Sequence, residues 1–394
     1  MVGSAVVVLL LLAGVAGRVV FWSQSDDQDR LEAKNAYLER IAALATGSAD
    51  AAPNLVIVLF DDLGYGDLGA YGSRSIRTPN IDRLANEGVL FRHAYAPSPY
   101  CSASRAGLLT GRHAVRSGLH HVLQAAGTWQ DLLLRLGGRN RRLPAEEITL
   151  AEVLAAAGYS NAAFGKWHLG DTSPSLPNDR GFESFWGLLF SNDQGEPVVW
   201  SDRRIVEKHP IDQTTLTRRY TDRAIDCLEE SSDGPFFLYL PHTFPHIPLH
   251  ASADHRGRSD GGLYGDVVEE LDASVGRIVA TLERLGIAER TLLLVSSDNG
   301  PWFQGSGGDV RGRKFDVFEG GTRVPFIAWS PGGVVAGRTV DTPVSALDVF
   351  PTVLDLAGLP LPEDRLIDGV SLAGLLRDGE PAPERPIVFH QLGV

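Results

Sequence analysis

Apolar residues in this chain come in short unbroken runs separated by stretches of amphipathic pattern. The first run, Asn54-Leu-Val-Ile-Val-Leu-Phe60, has strand length and no polar alternation. That is the pattern of a strand buried on both faces. Similar runs recur at 236–240, 292–296 and 324–329. Between them, apolar positions return at helical spacing over 80–87, 150–157, 213–230 and 266–285. Strands alternating with helices predict an α/β fold, a mostly parallel sheet flanked by helices on both faces.

In such sheets ligands gather beyond the carboxyl ends of the strands. The first run leads into Asp61-Asp62, the 236–240 run into Pro241-His242-Thr-Phe-Pro-His246, and the 292–296 run into Asp298-Asn299. Asp61, Asp62, Asp298 and Asn299 offer only oxygen ligands, the set preferred by hard divalent cations such as Ca²⁺ or Mg²⁺. Adjacent carboxylates at a buried strand end repel unless a cation or proton intervenes. The bland alternative is that these residues make turns and helix caps.

The N-terminus changes the picture of where the domain begins. Residues 2–22 are almost wholly apolar, with Arg18 near one end, and read as a signal peptide or a membrane anchor. Either reading predicts export, to a periplasmic, extracellular or membrane-anchored location. Residues 23–52 are polar and end in small residues, as in a tether, and the folded domain is expected over 53–394. The 394 residues carry 49 acidic and 36 basic side chains, a formal charge of -13, which excludes nonspecific nucleic-acid binding. Two cysteines, Cys101 and Cys227, exclude a disulfide scaffold, and Cys227 sits in a helical pattern as a core residue.

The segment Pro97-Ser-Pro-Tyr-Cys101-Ser-Ala-Ser-Arg105-Ala-Gly-Leu-Leu-Thr-Gly-Arg112 resembles the signature of the type I, formylglycine-dependent sulfatases. The resemblance extends over most of residues 53–394. It includes Asp61-Asp-Leu-Gly-Tyr-Gly-Asp67, Gly165-Lys-Trp-His-Leu-Gly170, Ser191-Asn-Asp-Gln-Gly195 and Lys314-Phe-Asp-Val-Phe-Glu-Gly-Gly321. The 191–195 and 143–149 elements are most similar to the arylsulfatase A branch. Ala103 stands where the commonest form of the motif has proline.

The resemblance implies an alkaline-phosphatase-like fold and hydrolysis of sulfate monoesters, on small molecules or glycans. It implies oxidation of Cys101 to formylglycine by a maturating enzyme, and a bound Ca²⁺, with Mg²⁺ as the other candidate. The hydrated aldehyde has two hydroxyls: one attacks sulfur, and the other then loses its proton to expel sulfate. Asp61, Asp62, Asp298 and Asn299 match the family's metal ligands, and Asp298 also matches the acceptor of the nucleophile's proton. Arg105 lies one helical turn after Cys101 and is expected to hold the diol or the metal ligands. Lys166 and His168 match the pair that stabilises the hydrate and the sulfate, and Ser191 matches a hydroxyl on the same group. His246 and Lys314 match the residues that hold the ester oxygen and protonate the leaving alcohol, with His242 and His250 as competitors for the first role.

Family members carry a C-terminal antiparallel subdomain, and the sequence stops near its expected start, so a C-terminally truncated domain is expected. Two rivals remain from the sequence alone. One is a phosphodiester or phosphonate hydrolase of the same superfamily; the other is a calcium-binding, non-catalytic relative with unconverted Cys101.

Overall fold

A computed structural model describes residues 24–45, 52–230 and 234–389. The strands are β1 (Asn54–Phe60), β2 (Val89–Tyr95), β3 (Ser160–Lys166), β4 (Ser184–Leu188), β5 (Val199–Ser201) and β6 (Arg204–Glu207). They continue with β7 (Phe236–Pro241), β8 (Thr291–Ser297), β9 (Arg323–Trp329), β10 (Arg338–Val340) and β11 (Val344–Ser345). All lie in one sheet, ordered β10-β2-β9-β8-β1-β7-β3-β4-β5-β6, with β11 on β2. The central block β8-β1-β7-β3-β4 is parallel, whereas β9 and the β4-β5-β6 edge pair antiparallel. The expected α/β architecture is therefore present, with the 324–329 run as an antiparallel strand inside it.

All seven residues of β1 are buried. Leu55, Ile57 and Leu59 enter one apolar core, and Val56, Val58 and Phe60 enter another on the opposite face. A continuous apolar run is the outcome of covering both faces, since alternate side chains point to opposite sides. Each such side chain contributes roughly 1.5–3 kcal/mol when fully buried. Helices α1 (Gln28–Ala45), α2 (Pro79–Glu87), α3 (Cys101–Thr110), α4 (Trp129–Leu136) and α5 (Leu150–Ala156) come in the first half of the chain. Helices α6 (Leu216–Glu230) and α7 (Gly262–Arg284) cover the second core.

Within the segment read as a polar tether, α1 docks on the domain. Lys34 is buried and donates to Glu152 at 2.5 Å and to the carbonyls of Ala145 and Glu147. Glu152 also closes a capping box with Thr149 at the start of α5, so one carboxylate serves both helices. The signal or anchor expected at 2–22 lies outside the described residues. Among the described residues, no helix is long and apolar enough to cross a membrane.

Register brings the strand ends level. Leu59 pairs with Pro241 and Phe60 with Ser297. The ladder continues one step beyond: His242 N donates to Leu59 O at 2.8 Å and Asp298 N to Phe60 O at 3.0 Å. Asp61, His242 and Asp298 therefore leave three neighbouring strands at one rim.

Candidate active site

Helix α3 opens at Cys101 with no side chain capping its first turn, and the thiol is 1% exposed. Its free N–H groups point a partial positive charge toward the rim. Cys101 shares that rim with Asp61, Asp62 and His246, whose ligand atoms all lie within 4.8 Å of one another. Burial pushes the Cys101 thiol up to about 12, so the unmodified side chain stays protonated at neutral pH.

The four expected metal ligands are buried and interlocked. Asp62 N donates to Asp298 Oδ1 at 3.2 Å, and Asn299 Nδ2 donates to Asp62 Oδ1 at 2.7 Å. That leaves Asn299 Oδ1 and Asp61 Oδ1 buried with no hydrogen-bond partner. Two orphaned oxygens beside two further carboxylates fit a hard divalent cation, which satisfies oxygen lone pairs that no proton donor reaches.

Three fixed cations face the three carboxylates. Arg105, fully buried, donates from Nε to Asp298 Oδ2 at 2.9 Å and from Nη1 to the Lys166 carbonyl at 2.5 Å; its Nη2 lies 3.7 Å from Asp61. These contacts hold the Asp298 and Asp61 carboxylates in place. Lys166 Nζ lies 2.5 Å from Asp61 Oδ2, and Lys314 Nζ lies 2.8 Å from Asp62 Oδ1. Burial opposes ionisation of Asp61, but Lys166, His246, Arg105 and Lys314 hold it well below the usual carboxylate range. Burial, then the neighbouring Asp61 charge, pushes Asp298 up to about 7. Burial works against the Lys314 charge too, yet Asp62 keeps its proton on well above the usual lysine range.

His168 is buried behind this layer. Its Nε2 meets the Leu123 carbonyl at 3.0 Å, its Nδ1 has no partner, and burial followed by the Lys166 charge keeps it neutral. His246 directs Nδ1 to the Ile247 carbonyl at 2.6 Å and Nε2 toward Asp62 at 3.7 Å. A carbonyl only accepts, so Nδ1 carries the proton and Nε2 faces the rim. Of the competitors, His242 is fully buried against Ser274 and Tyr220, and His250 lies beside Phe244 with its ring centroid 6.2 Å away and tilted by 51°, so neither joins the cluster.

The local backbone explains part of this placement. Asp62, His168 and Phe315 adopt left-handed φ values of 68°, 61° and 75°, conformations a non-glycine residue holds only when its surroundings enforce them. Gly165 has φ 141°, and a Cβ there would lie 1.9 Å from the Pro241 carbonyl. Only glycine lets β3 approach β7 closely enough to deliver Lys166.

A cleft of about 410 Å³ opens above the cluster, with Asp62, Cys101, Ser191, His246 and Lys314 in its lining. Its remaining walls are Val122, Gln124, Thr128, Gln130, Asp193, Gln194, Gly195, Ile247, Trp302 and Phe315. Sequence reasoning missed most of these walls, although Asp193, Gln194 and Gly195 lay inside the quoted 191–195 motif and Phe315 inside the 314–321 motif.

A family model described as Sulfatase matches residues 53–359. The chain is 39% identical over 380 residues to N-acetylgalactosamine-6-sulfatase of Mus musculus, covering 90% of this chain and 71% of that protein. It is 38% identical over 382 residues to arylsulfatase A of Homo sapiens, covering 89% and 73%. The crystal structure of Ps i-CgsB shares the fold at a TM-score of 0.75 and 30% identity, covering 84% of this chain and 77% of that one. Fold and relatives together define a sulfuric ester hydrolase. The chain belongs to the sulfatase family. The relatives carry the sulfate-ester reading and not the phosphodiester or phosphonate alternative.

Proposed function

We propose that the chain removes sulfate from sulfated sugars, using formylglycine made from Cys101 beside a Ca²⁺ or Mg²⁺ ion at Asp61, Asp62, Asp298 and Asn299. The observation that carries this reading is the convergence of Cys101 with Asp61, Asp62 and His246 at the floor of one cleft. The aldehyde hydrate supplies a nucleophilic hydroxyl and a second hydroxyl for sulfate release, which a thiol held protonated by burial does not. The cation, when bound, polarises sulfate oxygens as a Lewis acid.

The chain's own residues do the rest. Arg105 fixes Asp298 and Asp61, and Asp298, its carboxyl pushed toward neutrality, is suited to take the nucleophile's proton. Lys166, Lys314 and the Ser191 hydroxyl set donors around the sulfate. His168, held neutral, gives its Nε2–H to the Leu123 carbonyl, so its unpartnered Nδ1 can only accept, from a hydroxyl of the aldehyde hydrate and not from a sulfate oxygen. His246 Nε2 faces the ester oxygen's side of the cleft and protonates the leaving alcohol when the ring carries a second proton.

The cleft walls favour a pyranose as that alcohol. Trp302 and Phe315 form one wall, their rings edge to face at 6.0 Å. Gln124, Gln130 and Gln194 supply amides; the Gln194 amide nitrogen donates to Leu123 O and Gln124 Oε1, and its side-chain oxygen has no hydrogen-bond partner. Aromatic faces take the apolar C–H face of a sugar, and amides take its hydroxyl rim. The structure of Ps i-CgsB in complex with k-i-k-neocarrahexaose supports a glycan reading. Residues 2–22 support export, as signal or anchor.

The test is the mass of the peptide containing residue 101 from active protein, where formylglycine is lighter than cysteine. An active enzyme with an unmodified thiol refutes the reading. Cys101→Ser, which keeps one hydroxyl but not two, is expected to lower kcat by at least about 10³-fold on an aryl sulfate.

A further inference from the structure

Helix α4 is built inside out. Asp131 is 2% exposed and faces inward, where it accepts from Arg135 at 3.1 Å, Arg141 at 2.5 Å and the Gly127 amide at 3.2 Å. Trp129, Leu132 and Leu133, on one stripe at helical spacing, are 68%, 42% and 55% exposed. A surface helix normally points such a stripe at its own core. Thr128 and Gln130, at the start of the same helix, line the catalytic cleft.

The opposite bank of that cleft is also apolar. Beside the lining residues Trp302 and Phe315 stand Phe303, Val317 and Phe318, each 40% or more exposed. Arg311 and Arg313 stack over Phe318 and Phe303 at 4.0 and 5.1 Å. The run 132–143, which begins within α4, carries Arg135, Arg139, Arg141 and Arg142; Asp131 holds Arg135 and Arg141 and Asp26 holds Arg142, so Arg139 is the arginine of this run with no carboxylate partner among the described residues. The chain enters the described structure at this place. Gln24 donates to Arg142 O at 3.2 Å and accepts from Arg141 N at 3.1 Å, and Asp26 grips Arg142 through both carboxylate oxygens.

We propose that the two banks form a docking surface for an anionic lipid bilayer, which sets the mouth of the cleft at the headgroup layer. The proposal rests on reading residues 2–22 as a membrane anchor. An apolar segment ending at Trp22 leaves only two residues to Gln24, and the extended chain spans about 3.5 Å per residue. Gln24, and with it Arg141 and Arg142, is then held within about 10 Å of the bilayer surface. Aromatic and leucine side chains flanked by Arg139, Arg311 and Arg313, whose guanidinium groups meet no carboxylate among the described residues, are the composition that settles into that layer and favours anionic lipid.

The test uses the full chain with vesicles of phosphatidylcholine and phosphatidylglycerol, with and without brominated acyl chains. The expected results are flotation with the vesicles, and bromine quenching of tryptophan fluorescence that Trp129→Phe reduces by roughly a third, Trp22 and Trp302 supplying the remainder. Flotation with equal quenching in wild type and Trp129→Phe overturns the docking surface and leaves the anchor standing. Failure to float overturns both. A dimer in vesicle-free buffer that Trp129→Ser/Leu132→Ser/Leu133→Ser dissociates also overturns the proposal, by assigning the stripe to a second copy of the chain. Hydrolysis of a soluble aryl sulfate by each variant at the wild-type rate verifies that the fold is intact.

Discussion

Lys166 holds its ammonium 2.5 Å from Asp61 Oδ2, with both side chains closed off from solvent. The pair joins β3 to the end of β1, and the Lys166 carbonyl takes a further bond from Arg105. Removing one partner strands a buried charge, which costs far more than losing an exposed ion pair. Lys166→Met is therefore expected to lower unfolding free energy by about 3–5 kcal/mol as well as abolish turnover. Urea denaturation measures it, and a loss below about 1 kcal/mol would place the pair with ordinary surface bridges.

Cation removal should reveal the orphaned oxygens of Asp61 and Asn299. Chelation with EDTA is expected to lower the melting temperature, and Ca²⁺ or Mg²⁺ at a hundred times its Kd to restore about 2.7 kcal/mol. Asp61→Asn should flatten that titration. A wild-type melting temperature indifferent to both ions would show that the oxygens are satisfied in some other way.

His246 sets the expected pH profile. Burial lowers its pKa from the ordinary 6.5, while Asp62 and Asp61 partly oppose the shift. Its Nε2 can donate to a leaving oxygen only when the ring is doubly protonated, because Nδ1–H is committed to Ile247. The doubly protonated form exists below the pKa, so kcat should fall as pH rises through a value under 6.5. His246→Gln should be slow and lack that limb. A profile that rises with pH across the same window contradicts the assignment.

Most of the catalytic floor was legible because it sits where continuous apolar runs end. The 236–240 and 292–296 runs are β7 and β8 to within a residue at each end, and their exits deliver His246, Asp298 and Asn299. β3 was not legible. Its sequence, Ser-Asn-Ala-Ala-Phe-Gly-Lys, has no apolar run, and it is a strand because small residues fit between β7 and β4 while Asn161 satisfies the Ala151 and Gly181 carbonyls. α1 was read as tether because Lys34 looks like a solvated lysine until Glu152 and two carbonyls surround it. The cleft walls come from separate loops whose meeting has no local signal.

Trp302 offers the sharpest test of the substrate class. Trp302→Ala is expected to raise KM for a sulfated pyranoside about tenfold, the equivalent of 1.4 kcal/mol of stacking and burial, with kcat changed less than about twofold. Steady-state kinetics on the sugar sulfate decide it, and an unchanged KM would move the sugar off that wall.

The depth of residue 101 also imposes a sequence of events. With 1% of its surface exposed and α3 wedged among the strand ends, its sulfur is out of reach of any second enzyme once the sheet has closed. An oxidase installing the proposed aldehyde would have to meet this stretch while it is still extended, during synthesis or transit. On that proposal each molecule's competence is settled before it folds, and a copy that folds too early would be locked out of catalysis for its lifetime.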